Sequence, residues 1–138
     1  PWKGWASWSG VQSPAMKIMT SRSVQDVPEH WHSEGADGVA VLSIPGLNGR
    51  PRVFDVDASL TVDVPEEPAN AWLELTVEFD GKRQWNRRIP AHNPGQTDGL
   101  DYHQRLRLEA EQGVRVRALV KVKGVRVRQL LLEAREES

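Results

Sequence analysis

A chain of 138 residues with 38% apolar and 27% charged side chains has the length of one ordinary domain and enough apolar surface to bury a core. Its formal net charge of -1 removes any whole-molecule argument for nucleic acid, and no apolar run approaches the roughly 20 residues of a membrane helix, so no membrane insertion is expected. The absence of cysteine excludes disulfides, zinc ribbons and thiol nucleophiles.

The chain opens at Pro1 with no methionine or signal-like segment, and the expectation is a processed mature form or an excised piece. Trp2, Trp5 and Trp8 recur at every third position, which suits an arm over residues 1–14 packed on a single sandwich domain that takes in residues 1–138. Six tryptophans against one tyrosine and two phenylalanines is unusual. An indole offers a large apolar body and one polar edge, so it serves a core anchor and a ligand platform equally well. Residues 15–20 and 38–44 read as strands. Between them, His30-Trp31-His32 follows Pro28 and reads as surface histidines of a loop. Were that stretch extended, His30 and His32 would face the same way and could share a metal with His92 or His103. The pair resembles the His-x-His of cupin metal enzymes, although the later histidine of that pattern, expected near Pro65 to Trp72, is absent and the glutamate spacing differs.

Residues 52–64 alternate cleanly, with Phe54, Val56, Ala58, Leu60, Val62 and Val64 on one face and Asp55, Asp57 and Asp63 on the other. A period of two marks a half-buried strand, which Pro65 and Pro68 then end. A second strand over 71–79 sets Leu73, Leu75, Val77 and Phe79 against Trp72, Glu74, Thr76 and Glu78. Asp80-Gly81-Lys82 turns the chain into a third strand over 83–89. A two-residue loop with regular pairing would bury Gln84, Asn86 and Arg88. A three-residue loop instead pairs Leu75 with Trp85 on the inner side and, on the exposed side, Trp72 with Arg88, Glu74 with Asn86 and Thr76 with Gln84. The three-residue loop is therefore expected.

Residues 90–100 read as a loop. Strands follow over 102–110, 114–122 and 125–134, separated by Gln112-Gly113 and by Gly124. Arg105, Arg107, Arg115, Arg117, Lys121, Lys123, Arg126 and Arg128 make these last strands basic, and they become a neutral surface if the aspartate stripe of residues 55–63 lies beside them. Short strands between Gly and Pro turns, with no helical period, give an all-β, two-sheet antiparallel sandwich of jelly-roll type.

No catalytic residue is assigned: the sequence holds no Gly-x-Ser-x-Gly, phosphate loop or dinucleotide fingerprint. Glu74 and Glu78 are the carboxylate pair that an enzyme reading would use. The order of elements from Pro28 onward resembles the galactose-binding-domain-like jelly roll of non-catalytic carbohydrate-binding modules. The likeness rests on Trp31, the strand over 54–64, the pair over 72–89, the strand over 102–108 and the closing strand after Gly124. It implies saccharide binding without catalysis and consecutive strands that cross between sheets, so that the 110–114 connection is an arch. Many such modules hold a structural calcium; this sequence has no clear acidic calcium loop. The expected ligand site is Trp72, Trp85, Arg88, Arg87, Asn86, Gln84 and Glu74, with Trp31, and the expected ligand is a saccharide or acidic polysaccharide. A secreted or periplasmic bacterial setting is expected. The rival readings are a protein-interaction module that uses the amino-terminal tryptophans, and a His30/His32 metal enzyme.

Overall fold

Residues 27–46 and 49–137 are described by a computed structural model, in which the period-two segments become eight strands. They are β1 (His30–Glu34), β2 (Val39–Ile44), β3 (Arg52–Asp63), β4 (Trp72–Phe79), β5 (Lys82–Pro90), β6 (Thr97–Leu108), β7 (Val114–Lys123) and β8 (Arg126–Glu136). The arm expected over 1–14, with Trp2, Trp5 and Trp8, and the strand expected over 15–20 lie outside the described residues.

Two antiparallel four-stranded sheets result, in the orders β1-β8-β3-β6 and β2-β7-β4-β5. Among the described strands only β4 and β5 are consecutive within one sheet; every other connection crosses to the opposite sheet. This is the double Greek key of a jelly roll. The link from Leu108 to Val114 is accordingly an arch between sheets.

Apolar alternation places the core. Phe54, Val56, Ala58, Leu60 and Val62 of β3 face Leu73, Leu75 and Val77 of β4, and all are at most 1% exposed. Burying each Leu, Val or Phe in this way stabilises the fold by roughly 1.5–3 kcal/mol. Two elements differ from the sequence expectation. Residues 30–34 form a strand instead of a loop, because the open backbone edge of β8 pairs with them from His30↔Arg135 to Glu34↔Leu131. With only Trp31 and Ser33 turned inward, this strand carries too little apolar signal to announce itself. β6 begins at Thr97, five residues earlier than expected, since Asp63↔Thr97 to Leu60↔Leu100 extends the ladder along β3.

Arg52 has the parity of Phe54 and is 2% exposed, a charge inside the sandwich wall. Its guanidinium donates to the carbonyls of Pro45 (2.8 Å) and Gln112 (3.2 Å), which ties the segment after β2 to the arch before β7. The two backbones are in close approach there. A Cβ on Gly46 would lie 2.3 Å from the Glu111 carbonyl oxygen, and one on Gly113 would lie 2.7 Å from that of Ile44. Arg52→Ala leaves those carbonyls unpaired and a cavity beside Phe54, and is expected to cost about 3 kcal/mol. Urea unfolding checks this: a midpoint within error of the parent protein would show that Arg52 holds nothing together.

Candidate functional site

The β4–β5 hairpin keeps the expected polar face but sets it in another register. Asp80 (φ 51°) and Gly81 (φ 82°) both take positive φ, as a two-residue type I′ turn requires, and Phe79 pairs with Lys82. A bulge between Val77 and Glu78 then leaves Gln84 as the extra residue of β5. The bulge restores the parity that the core demands, with Val77↔Trp85, Leu75↔Arg87 and Leu73↔Ile89 on the inner side. The expected three-residue loop is therefore corrected: the extra residue sits in the strand, and from Val77 back to Trp72 the pairs are displaced by two positions. Trp72 lies opposite Pro90, Glu74 opposite Arg88, and Thr76 opposite Asn86.

On the outer face this register builds one connected row. Arg88 donates to Glu74 Oε1 (3.0 Å), and Asn86 donates to Glu74 Oε2 (2.6 Å) and to Thr76 Oγ1 (2.7 Å). The Arg88 guanidinium lies 3.8 Å from the centroid of the Trp72 ring, a cation–π contact across the diagonal of the hairpin. The hydrogen bond from Asn86, followed by that from Arg88, holds the Glu74 carboxyl below its ordinary 4.5, with Lys121 of β7 adding attraction.

Other expected members fall elsewhere. Trp85 turns inward and stacks on Tyr102 of β6, with centroids 4.7 Å apart and planes 20° from parallel, where β5 and β6 edge the two sheets. The Tyr102 hydroxyl hydrogen-bonds Gln104, and burial raises its pKa. Arg87 lies on that inner side too, yet is exposed at the sheet edge. Gln84 donates to the Lys82 carbonyl (3.3 Å) and does not join the row. Trp31 pairs with Ala134 in the other sheet and packs on the core. Trp85, Arg87, Gln84 and Trp31 are thus not in one surface with Trp72, Glu74, Asn86 and Arg88. Sequence reading missed Tyr102 as the partner of Trp85 and Lys121 as the neighbour of Glu74, since both depend on strand order, which no local pattern encodes.

His30 and His32 share the outer face of β1, their rings 5.9 Å apart, and His30 Nε2 lies 2.6 Å from Glu133. His103 is on β6, three strands away or roughly 14 Å, and pairs with Asp55 at 3.3 Å. Among the described residues no three His, Asp or Glu side chains gather as a metal would need. Glu74 and Glu78 are four residues apart along one strand, about 13 Å between Cα atoms, and each is engaged by a different arginine, Arg88 or Arg117. The basic stripe divides between the sheets. On the β1-β8-β3-β6 side Asp63 pairs with Arg126 and Arg128, Asp57 with Arg135, and Arg105 with Glu137, so that face is neutralised.

No family model matches the sequence, and no curated protein matches it. The solved structure of dimeric latent PorU from Porphyromonas gingivalis is similar over 79% of this chain, with a TM-score of 0.52 and 10% identity. The match takes in 12% of the PorU chain. At that identity the likeness is one of fold, the β-sandwich. No helix of the described residues is long and apolar enough to cross a membrane.

The outer row has a measurable signature. Because Glu74 titrates lower in the folded protein than in the unfolded chain, its contribution is present above the unfolded value near 4.5 and is lost as pH falls through the folded value. Glu74→Gln should therefore be less stable than the parent protein at pH 7, with the gap closing as pH falls below 4. A gap that stays constant across that window, measured by urea titration at each pH, would show that the ionised carboxylate is not what the row relies on.

Proposed function

We propose that this domain is a non-catalytic saccharide-binding module of the galactose-binding-like kind, acting through the outer face of the β4–β5 hairpin and working within a secreted or periplasmic bacterial protein. The observation that carries the reading is the unbroken row Trp72, Arg88, Glu74, Asn86 and Thr76 on one flat strand pair. A sugar ring presents an apolar C–H face and, around it, hydroxyls that both donate and accept. The row offers the matching parts: an indole for the C–H face, a carboxylate and an amide whose planes are already fixed by their mutual hydrogen bond, and a guanidinium beside them. Fixing them before the ligand arrives lowers the ordering cost of binding.

Arg88 is 54% exposed in its side chain and lies on the ring that the sugar would use. For a sugar to reach the ring its guanidinium rotates aside, giving up the contact with Trp72; the ligand then covers the indole and the guanidinium donors turn to hydroxyls. Strand pairing holds the other groups. Trp85, stacked on Tyr102 between the sheets, contributes to closing the flank of the sandwich and not to this surface.

Titration of a glycan panel by intrinsic tryptophan fluorescence tests the reading. At least one glycan is expected to shift the emission, and Trp72→Ala is expected to weaken its binding by about 1.4 kcal/mol, roughly tenfold. Asn86→Ala should weaken it by a smaller factor. A panel with no response, or binding indifferent to Trp72→Ala, would overturn the proposal.

A further inference from the structure

The chain is nearly neutral as a whole, but its two outer faces are not alike. On the β2-β7-β4-β5 face the registers bring six cations outward: Arg83 and Arg88 on β5, and Arg115, Arg117, Lys121 and Lys123 on β7. Against them stand two strand carboxylates, Glu74 and Glu78, while β2 adds only Val39, Val41 and Ser43. Glu74 is taken by Arg88 and Glu78 by Arg117. Arg83, Arg115, Lys121 and Lys123 have no ion-pair partner among the described residues. On the opposite outer face, the arginines meet the aspartates of β3 and the glutamates of β8 and of the carboxyl-terminal end.

We propose that this basic face binds an acidic polysaccharide, whose carboxylates are held by the free cations of β7 and β5 while its hydroxyls and ring faces meet the Trp72 row. This rests on the saccharide reading and names the ligand class for the same surface. Three features of the face select that class. The β7 cations run from Arg115 to Lys123, about 26 Å of strand, so the occupant is an extended polymer and not a single small anion. On β7 the cations stand in two pairs, Arg115 with Arg117 and Lys121 with Lys123, each about 7 Å apart, with Leu119 between the pairs and Glu74 and Glu78 of β4 beside them. Carboxylates within a basic face disfavour a phosphodiester backbone, which is densely charged. They suit a chain whose charges are separated by whole sugar rings, because each ring brings hydroxyl donors that a carboxylate accepts. Among the described residues the surface is also a sheet face, with no helix to enter a nucleic-acid groove.

Isothermal titration of the full chain with polygalacturonate, alginate and hyaluronan, each beside its carboxyl-reduced form, tests this. At least one acidic polymer is expected to bind roughly tenfold more tightly than its reduced form, with affinity falling as salt rises. The variant Lys121→Gln/Lys123→Gln should lose roughly tenfold toward that polymer, whereas Arg126→Gln/Arg128→Gln on the opposite face should bind as the parent protein does. Circular dichroism verifies that both variants are folded. Reduced polymers bound as tightly as acidic ones would overturn the acidic class and leave the saccharide reading standing. If no polymer of either kind binds, the acidic class falls and the saccharide reading is decided by the glycan panel. Binding of a DNA duplex as tight as that of the best polysaccharide would make the face a general polyanion surface and overturn the proposal.

Discussion

Two sheets that bury their apolar residues against each other leave charge nowhere to go except the two outer faces and the flanks. That constraint governs most of this molecule. With more than a quarter of its residues charged, the chain must distribute them by alternation along the eight described strands, and a slip of one residue would turn the aspartates of β3 or the arginines and lysines of β7 into the core. β3 is the most fully committed strand. It pairs on both sides, with β6 and β8, and its inner residues are almost completely buried while its aspartates meet the arginines of β8 and His103 of β6. The opposite sheet has no such central acidic strand. β4 takes the equivalent place, but two of its four outward positions are Trp72 and Thr76. Its flanking cations are consequently left in excess, and the difference between the faces follows from the outward residues of two central strands.

The hairpin shows how the polar row of its outer face depends on a backbone irregularity. A type I′ turn at Asp80-Gly81 matches the twist of the strands and is the low-energy way to close the pair. Followed by regular pairing, it would have turned Gln84, Asn86 and Arg88 inward. The bulge at Gln84 absorbs one residue, so that Trp85 enters the flank while Asn86 and Arg88 return to the outer face. The row around Glu74 exists only because the turn and the bulge occur together. Each is unremarkable alone.

Much of the architecture was legible in the sequence because alternation is a local signal. The strands of residues 52–64, 71–79 and 114–122 appear with nearly the expected limits, and Trp85 lies on the inner side as its alternation requires. The exact pairing was not legible, since the core fixes which residues face inward but is indifferent to a displacement of two positions. β1 was hidden for a different reason: its stability comes from the free edge of β8, a hundred residues later in the chain, and not from its own apolar content. Arg52 lay in plain view by parity. Its charge argued against the inward position that its alternation with Phe54 required, and only the carbonyls of Pro45 and Gln112 make that position tolerable. The proximity of Lys121 to Glu74 depends on β7 crossing to lie beside β4, a matter of topology that neither strand encodes alone.

The same topology explains why the tryptophans divide as they do. Trp85 and Trp72 belong to one hairpin, yet one indole closes the flank against Tyr102 and the other lies outward beneath Arg88. A stack between sheet edges loses its geometry when a ring is withdrawn to meet a ligand, so Trp85 is poorly suited to bind anything. The contact between Trp72 and Arg88 is different, because it joins two groups of the same exposed face and no core packing depends on it. An aromatic ring covered by an exposed cation is kept from indiscriminate apolar contacts, and the proposed ligand is one that satisfies both the ring and the charge. Such a ligand must offer an apolar face and oxygen acceptors in one rigid unit, and that requirement, more than the count of tryptophans, points from this fold toward sugars.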